Sequence, residues 1–195
     1  MDKDGFKAMA ATNYPTITVT KIDAAKRQLD CAIELWFRGG DEVSIHALAS
    51  AAFDVAVTLN SKAGNTGLTM LDLSKRHVKP EFVSQAVKDL RAPMTFLKHA
   101  DKDPDGVLEF SPEVSELIMV LASNALTQLG EPQSDLQKTL AYWHSLHRPE
   151  ITLAAQSPYK TLPADMVASM LSCTRSEFLH YMLEGFRIGR SSFAT

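Results

Sequence analysis

Residues 91 to 112 read RAPMTFLKHADKDPDGVLEFSP, a stretch crowded with ionisable groups and structure breakers. Arg91, Lys98 and His99 stand together there, followed by Asp101, Asp103 and Asp105 and interrupted by Pro93, Pro104 and Gly106. An arginine and a histidine held close together can cleave RNA without a metal. The guanidinium fixes a phosphate and stabilises the charge that develops on it, while the imidazole moves a proton to or from the sugar hydroxyl or the leaving oxygen. Arg91, Lys98 and His99 are therefore the candidate catalytic residues, with Lys98 adding positive charge. On an uninterrupted helix Arg91 and His99 would lie about 80° apart and roughly 12 Å along the axis. Pro93 disturbs that geometry. The same residues also suit a polar helix end, with Lys98 and His99 at the negative end of the dipole beside Asp101.

Asp101, Asp103, Asp105 and Gly106 imitate the opening of a calcium-binding EF-hand loop, and Glu109 falls at its ninth position. The twelfth position must supply a bidentate carboxylate, and Pro112 occupies it. With Pro104 inside the run and Lys102 adding a competing charge, the segment reads as an acidic, solvent-exposed turn. The histidines are His46, His77, His99, His144, His147 and His180, and none forms the i, i+4 pair of a helical zinc site with a nearby acid. His144 and His147 can face one side of a helix, but no cysteine or carboxylate adjoins them in the sequence, and they read as flanking Trp143 at a helix end. No Gly-x-Ser-x-Gly, Walker loop or dinucleotide fingerprint occurs. No metal or cofactor is expected.

The elements that must position these residues read as amphipathic helices. Ile22, Ala25, Leu29, Ala32, Ile33, Trp36 and Phe37 recur at helical spacing, and Gly39-Gly40 ends the run. Ser44 is the expected N-cap of a second helix through about Leu59, whose alanines at 47, 49, 51, 52 and 56 let a neighbour approach closely on more than one side. A short helix is expected over 68–76, then a longer one opening at Pro80 that Pro93 kinks or stops. Ser111-Pro112-Glu113 reads as a capped helix start, and the helix through Leu129 reads as the central core element. Ser134 caps another through His147, a further helix covers 164–173, and Thr174 and Glu177 have capping-box spacing for the last. Residues 1–20 are weakly patterned and read as an extended arm, leaving 21–195 as a single helical domain. The fold class is all-α, an irregular bundle of seven or eight helices.

Composition narrows the setting. At 45% hydrophobic and 22% charged, 195 residues suit a soluble globular chain able to bury its own core. A formal net charge of −3, with no basic block longer than Lys75-Arg76, argues against broad electrostatic nucleic-acid binding and leaves room for a small local RNA site. The N-terminus has no apolar signal region, and no apolar run nears the ~20 residues that span a bilayer. Cys31 and Cys173 both sit in apolar helical patterns and read as buried thiols, in keeping with a reducing, cytoplasmic location and no membrane.

The stretch AAKRQLDCAIELWFRGGDEVSIHALASAAFDVAVTL resembles the opening helix pair of HEPN proteins: an amphipathic helix, a Gly-Asp turn and an alanine-rich helix carrying a histidine. FLKHADKDP followed by LEFSPE is similar to a set of small bacterial all-helical proteins. The two stretches together span about a third of the chain. The resemblance implies an antiparallel helix pair at the N-terminal end, a homodimer, and either RNA binding or metal-independent ribonuclease activity. The HEPN signature places four to six residues between its arginine and histidine; here seven separate Arg91 from His99. The competing expectation is a non-enzymatic homodimeric interaction module, with the alanine-rich face of 45–59 or the aromatic face of 178–186 as the partner surface.

Overall fold

The computed structural model describes residues 15–67, 69, 70, 72, 80–99, 101, 103–149 and 162–192. Among them lie seven α-helices and no strand, as the helical periodicity requires. They are α1 (Lys21–Phe37), α2 (Glu42–Lys62), α3 (Val83–Phe96), α4 (Glu113–Gln128), α5 (Asp135–His147), α6 (Ala164–Ser172) and α7 (Arg175–Ser192). A 3₁₀ turn, Pro80–Phe82, leads into α3. Most of the short helix expected over 68–76, and the arm over 1–14, fall outside the described residues. Residues 15–20 are exposed and carry no regular structure.

The starts of the helices follow from side chains that accept otherwise unpaired backbone N–H groups. Thr20 and Asp23 form a reciprocal capping box at α1. At α2 the cap is Asp41, not Ser44. Ser44 stands three residues inside the capping position, where its backbone N–H donates to Asp41 Oδ2 at 2.7 Å. Its hydroxyl and that backbone bond hold the Asp41 carboxyl below its ordinary value. Ser134 caps α5 as expected, its hydroxyl accepting from Gln137 N at 3.1 Å and donating to Asp30 Oδ1 of α1 at 2.7 Å. Thr174 and Glu177 close the capping box of α7. Ser111 caps nothing: α4 begins one residue later, behind Pro112, without a side-chain cap bond.

The core centres on α2 rather than on α4. Ala49, Ala52 and Ala56 are fully buried, so α2 is packed between α1 and α4 with little side-chain volume separating the backbones. The face carrying these three alanines is thus interior, while Ala47 and Ala51 are half-buried. From α1 come Ala25, Leu29, Ala32 and Ile33, and from α4 Ile118, Met119, Ala122 and Ala125. The α4 stripe is therefore shifted from the expected one, since Leu117, Leu121 and Leu129 are only half-buried. Asn60 joins the two sides: its amide donates to Ala56 O at 2.9 Å and across to Ala125 O at 2.7 Å. By length and composition α2 could also cross a membrane, but here its small residues fill the helix junction.

A second centre is aromatic. Trp36 and Phe37 end α1 against Trp143 of α5 and Phe178 of α7, with ring centroids 5.2 to 6.3 Å apart across the helices. Arg175 covers the Trp36 ring at 4.6 Å. Cys31 is exposed, contrary to expectation. Two residues along a helix is 200°, so a residue midway between buried Leu29 and Ile33 points outward with Arg27 and Glu34. Cys173 is half-buried.

Pro93 neither stops nor separates α3, which runs through it to Phe96. Only part of a turn remains after it, and the bond it forfeits is to the carbonyl of Asp89, an exposed residue whose backbone water can reach. The proline itself is buried. Replacing Ser134 with alanine removes both the α5 cap and the bond to Asp30, and should cost about 1–2 kcal/mol. Ser111→Ala should change stability by less than about 0.5 kcal/mol. Urea unfolding midpoints of the two variants check this contrast.

Candidate functional site

Arg91, Lys98 and His99 line one cleft of about 370 Å³ between α2 and α3. Arg91 and Thr95 recur at i and i+4, so α3 delivers them to one stripe, and Lys98 and His99 follow past its end. The opposite wall is α2, with Asp54 and Thr58 on its rim. Phe53, Met70 and Met94, all nearly inaccessible to solvent, form the floor.

Charge is distributed unevenly along the cleft. Lys98 Nζ donates to Asp54 Oδ2 at 2.6 Å, tying the end of α3 to α2. His99 Nδ1 stands 3.9 Å from Asp101 Oδ1. Arg91 is exposed and, among the described residues, faces no carboxylate within ion-pairing distance. It is the uncommitted cation of the cleft.

The acidic run beyond His99 is a turn. Gly106 N donates to Asp103 O at 2.9 Å, with Pro104 second and Gly106 fourth, as a tight turn favours. A Cβ on Gly106 would stand 2.6 Å from Asp103 Oδ2, so a larger residue there would turn the Asp103 carboxylate aside. Residues 107–110 then return without strand structure and bring the Phe110 ring to 5.3 Å from that of His46.

His46, a core residue outside the cleft lining, is a histidine that sequence reasoning left aside. It is fully buried on α2, and its Nδ1 lies 3.1 Å from Ser115 Oγ of α4. Its Nε2, and the hydroxyl of Ser50 one turn along, have no hydrogen-bond partner. Burial first, and then the positive charge of Lys98, depress the pKa of His46 below 6.5 and keep the ring neutral. The only signal in the sequence was a histidine amid alanines on a helix packed from several sides.

His144 has a carboxylate after all. Its Nδ1 is 2.8 Å from Glu116 Oε1, a buried pair that joins α5 to α4. The partner precedes it by 28 residues, which hid it from inspection of neighbours. His147 stacks on Trp143 with centroids 3.7 Å apart. Among the described residues no group of three histidines, cysteines or carboxylates converges as a metal site would require.

A second concavity, about 590 Å³, runs between α6 and α7. It is lined by Met166, Met170, Phe178, Tyr181 and Met182, with Asp165 and Glu177 among its polar residues. No residue of α6 is buried.

Comparison with family models, curated proteins and solved structures finds no match to this chain.

The unfolded chain protonates His46 near pH 6.5, whereas the folded chain resists protonation. The stability contributed by the neutral ring is therefore complete above that pH and lost as pH falls from it through the lowered folded value. Urea midpoints followed from about pH 7 to pH 5 should fall less steeply in His46→Gln than in the parent chain.

Proposed function

We propose that this chain is a cytoplasmic, HEPN-like RNA-binding protein whose α2–α3 cleft cleaves RNA without a metal. The observation that carries this reading is the meeting of Arg91, Lys98 and His99 on one cleft, despite Pro93 and the seven residues between the arginine and the histidine. In the proposed reaction Arg91 binds the scissile phosphate through its planar fork of donors. His99 takes the proton of the adjacent 2′-hydroxyl as that oxygen attacks phosphorus. The bond to the 5′-oxygen breaks, that oxygen takes a proton from water, and a 2′,3′-cyclic phosphate remains. Lys98, next to His99 in the chain, adds positive field to the cleft. Its tie to Asp54 keeps the ammonium in place and moderates its strength.

Purified protein incubated with single-stranded RNA in EDTA should produce cyclic-phosphate ends. Arg91→Ala and His99→Ala should each reduce the rate at least about a hundredfold. Absence of cleavage by the parent chain, or cleavage untouched by both substitutions, would discard the enzyme.

A second reading, a homodimeric interaction module, is favoured by the α6–α7 face. Met166 is 49% exposed, Leu171 48% and Tyr181 65%, a run of apolar surface on a nine-residue helix and its neighbour. So short a helix does not hold alone in water, and burial against a second copy would supply what the subunit lacks. α7 carries Glu177 near its start and Arg187, already bonded to Glu184 of its own helix, toward its end, and antiparallel pairing about Met182 would set Glu177 against Arg187 of the copy. Light scattering should give twice the chain mass for the parent and one chain mass for folded Tyr181→Asp. A parent of single chain mass would refute the dimer.

A further inference from the structure

We infer that the α2–α3 cleft seats one nucleotide, with its phosphate at Arg91 and a guanine edge read by Asp54. This rests on the reading that the cleft binds nucleic-acid phosphate, and adds which unit it holds and how.

Size is the first argument. About 370 Å³ lies near the lower end of small-molecule sites, roughly 300–1,000 Å³. It suits one base with its sugar and phosphate and excludes a duplex. The floor is the second argument: Phe53, Met70 and Met94 are 3%, 2% and 6% exposed, so they close the bottom of the cleft and leave contact with a ligand to the exposed Asp54, Thr58, Arg91 and Thr95 of its walls.

The third argument is the difference between the two ends. Arg91 lies within α3, whereas Lys98 lies in the turn past its end at Phe96. Arg91 has no carboxylate against it among the described residues, and so is the cation left to hold a phosphate. The opposite end is already neutralised, because Lys98 donates to Asp54 Oδ2. That end presents a carboxylate oxygen beside an ammonium, an acceptor next to a donor. Guanine offers the complement, N–H donors at N1 and N2 next to the O6 acceptor, whereas adenine, uracil and cytosine do not present that row to a carboxylate. The tie between Lys98 and Asp54 orients the carboxylate for this task.

The test is calorimetry on the full chain with 5′-GMP, 5′-AMP, 5′-UMP and inorganic phosphate, and with trinucleotides carrying guanine or adenine at the centre. GMP should bind at least about fivefold more tightly than AMP, and the guanine trinucleotide more tightly than its adenine counterpart. Arg91→Ala should weaken GMP and AMP alike by about tenfold or more. Asp54→Asn should abolish the preference for guanine while AMP binding persists, which a merely structural role for Asp54 would not produce. Far-ultraviolet dichroism establishes that both variants are folded. Phosphate binding as tightly as GMP, or equal affinity for all bases in the parent, would overturn the inference. So would trinucleotide binding insensitive to the central base, an outcome that leaves RNA binding standing and sinks the single-nucleotide seat alone. No binding of any probe would refute both.

Discussion

Close approach of backbones at α2 is the constraint on which the molecule depends. Three alanines on one helix, none exposed, let α1 and α4 sit against it from different sides. A bulkier side chain at any of them would force overpacking costing about 1–3 kcal/mol and would move a neighbouring helix. Position matters as much as energy here. Asn60 reaches the Ala125 carbonyl, and His46 reaches Ser115, only because the helix axes are so near. The alanines themselves contribute modest apolar area. What they provide is the separation at which short polar side chains can bridge two helices and leave few polar groups unsatisfied.

The cleft inherits its geometry from the same element. α2 presents its interior to the core and, farther round, presents Phe53, Asp54, Val57 and Thr58 to α3. The polar groups of the cleft are thus mounted on a rigid helix whose other faces are fully engaged, the arrangement that holds functional side chains in place. His46 links the two environments: it belongs to the core by burial, yet feels the charge of Lys98 on the cleft rim. A charge change at the rim therefore reaches the interior through the field between those two side chains.

Helices and most of their ends were legible in the sequence because their causes are local. Periodicity located α1, α2 and α4, and the caps at Ser134 and Thr174 announced themselves three residues ahead of their partners. At α2, where Ser44 was the expected cap, Asp41 nearer the turn took it and the Ser44 backbone N–H became its donor. Arg91, Lys98 and His99 were legible as a cluster because they stand close in the sequence, whereas their meeting on one cleft was not, since Arg91 and His99 would lie about 80° apart on a helix. Asp54 and His46 were not. Their relation to the cluster is set by how α2 packs against α3 and the 97–110 connection, over sequence separations that no short motif records. The Glu116–His144 pair was hidden for the same reason, and Cys31 was misplaced because apolar neighbours on a helix say little about the face between them.

Both tryptophans of the chain belong to one aromatic cluster, Trp36 and Trp143 lying 5.9 Å apart, with His147 stacked on the second. Intrinsic fluorescence is therefore a reporter of the α1–α5–α7 junction and is blind to the opposite end of the molecule. Optical melting curves read at that wavelength describe the hinge of aromatic rings, and a label elsewhere, such as one on the outward-facing thiol of Cys31, is needed to see the remainder come apart.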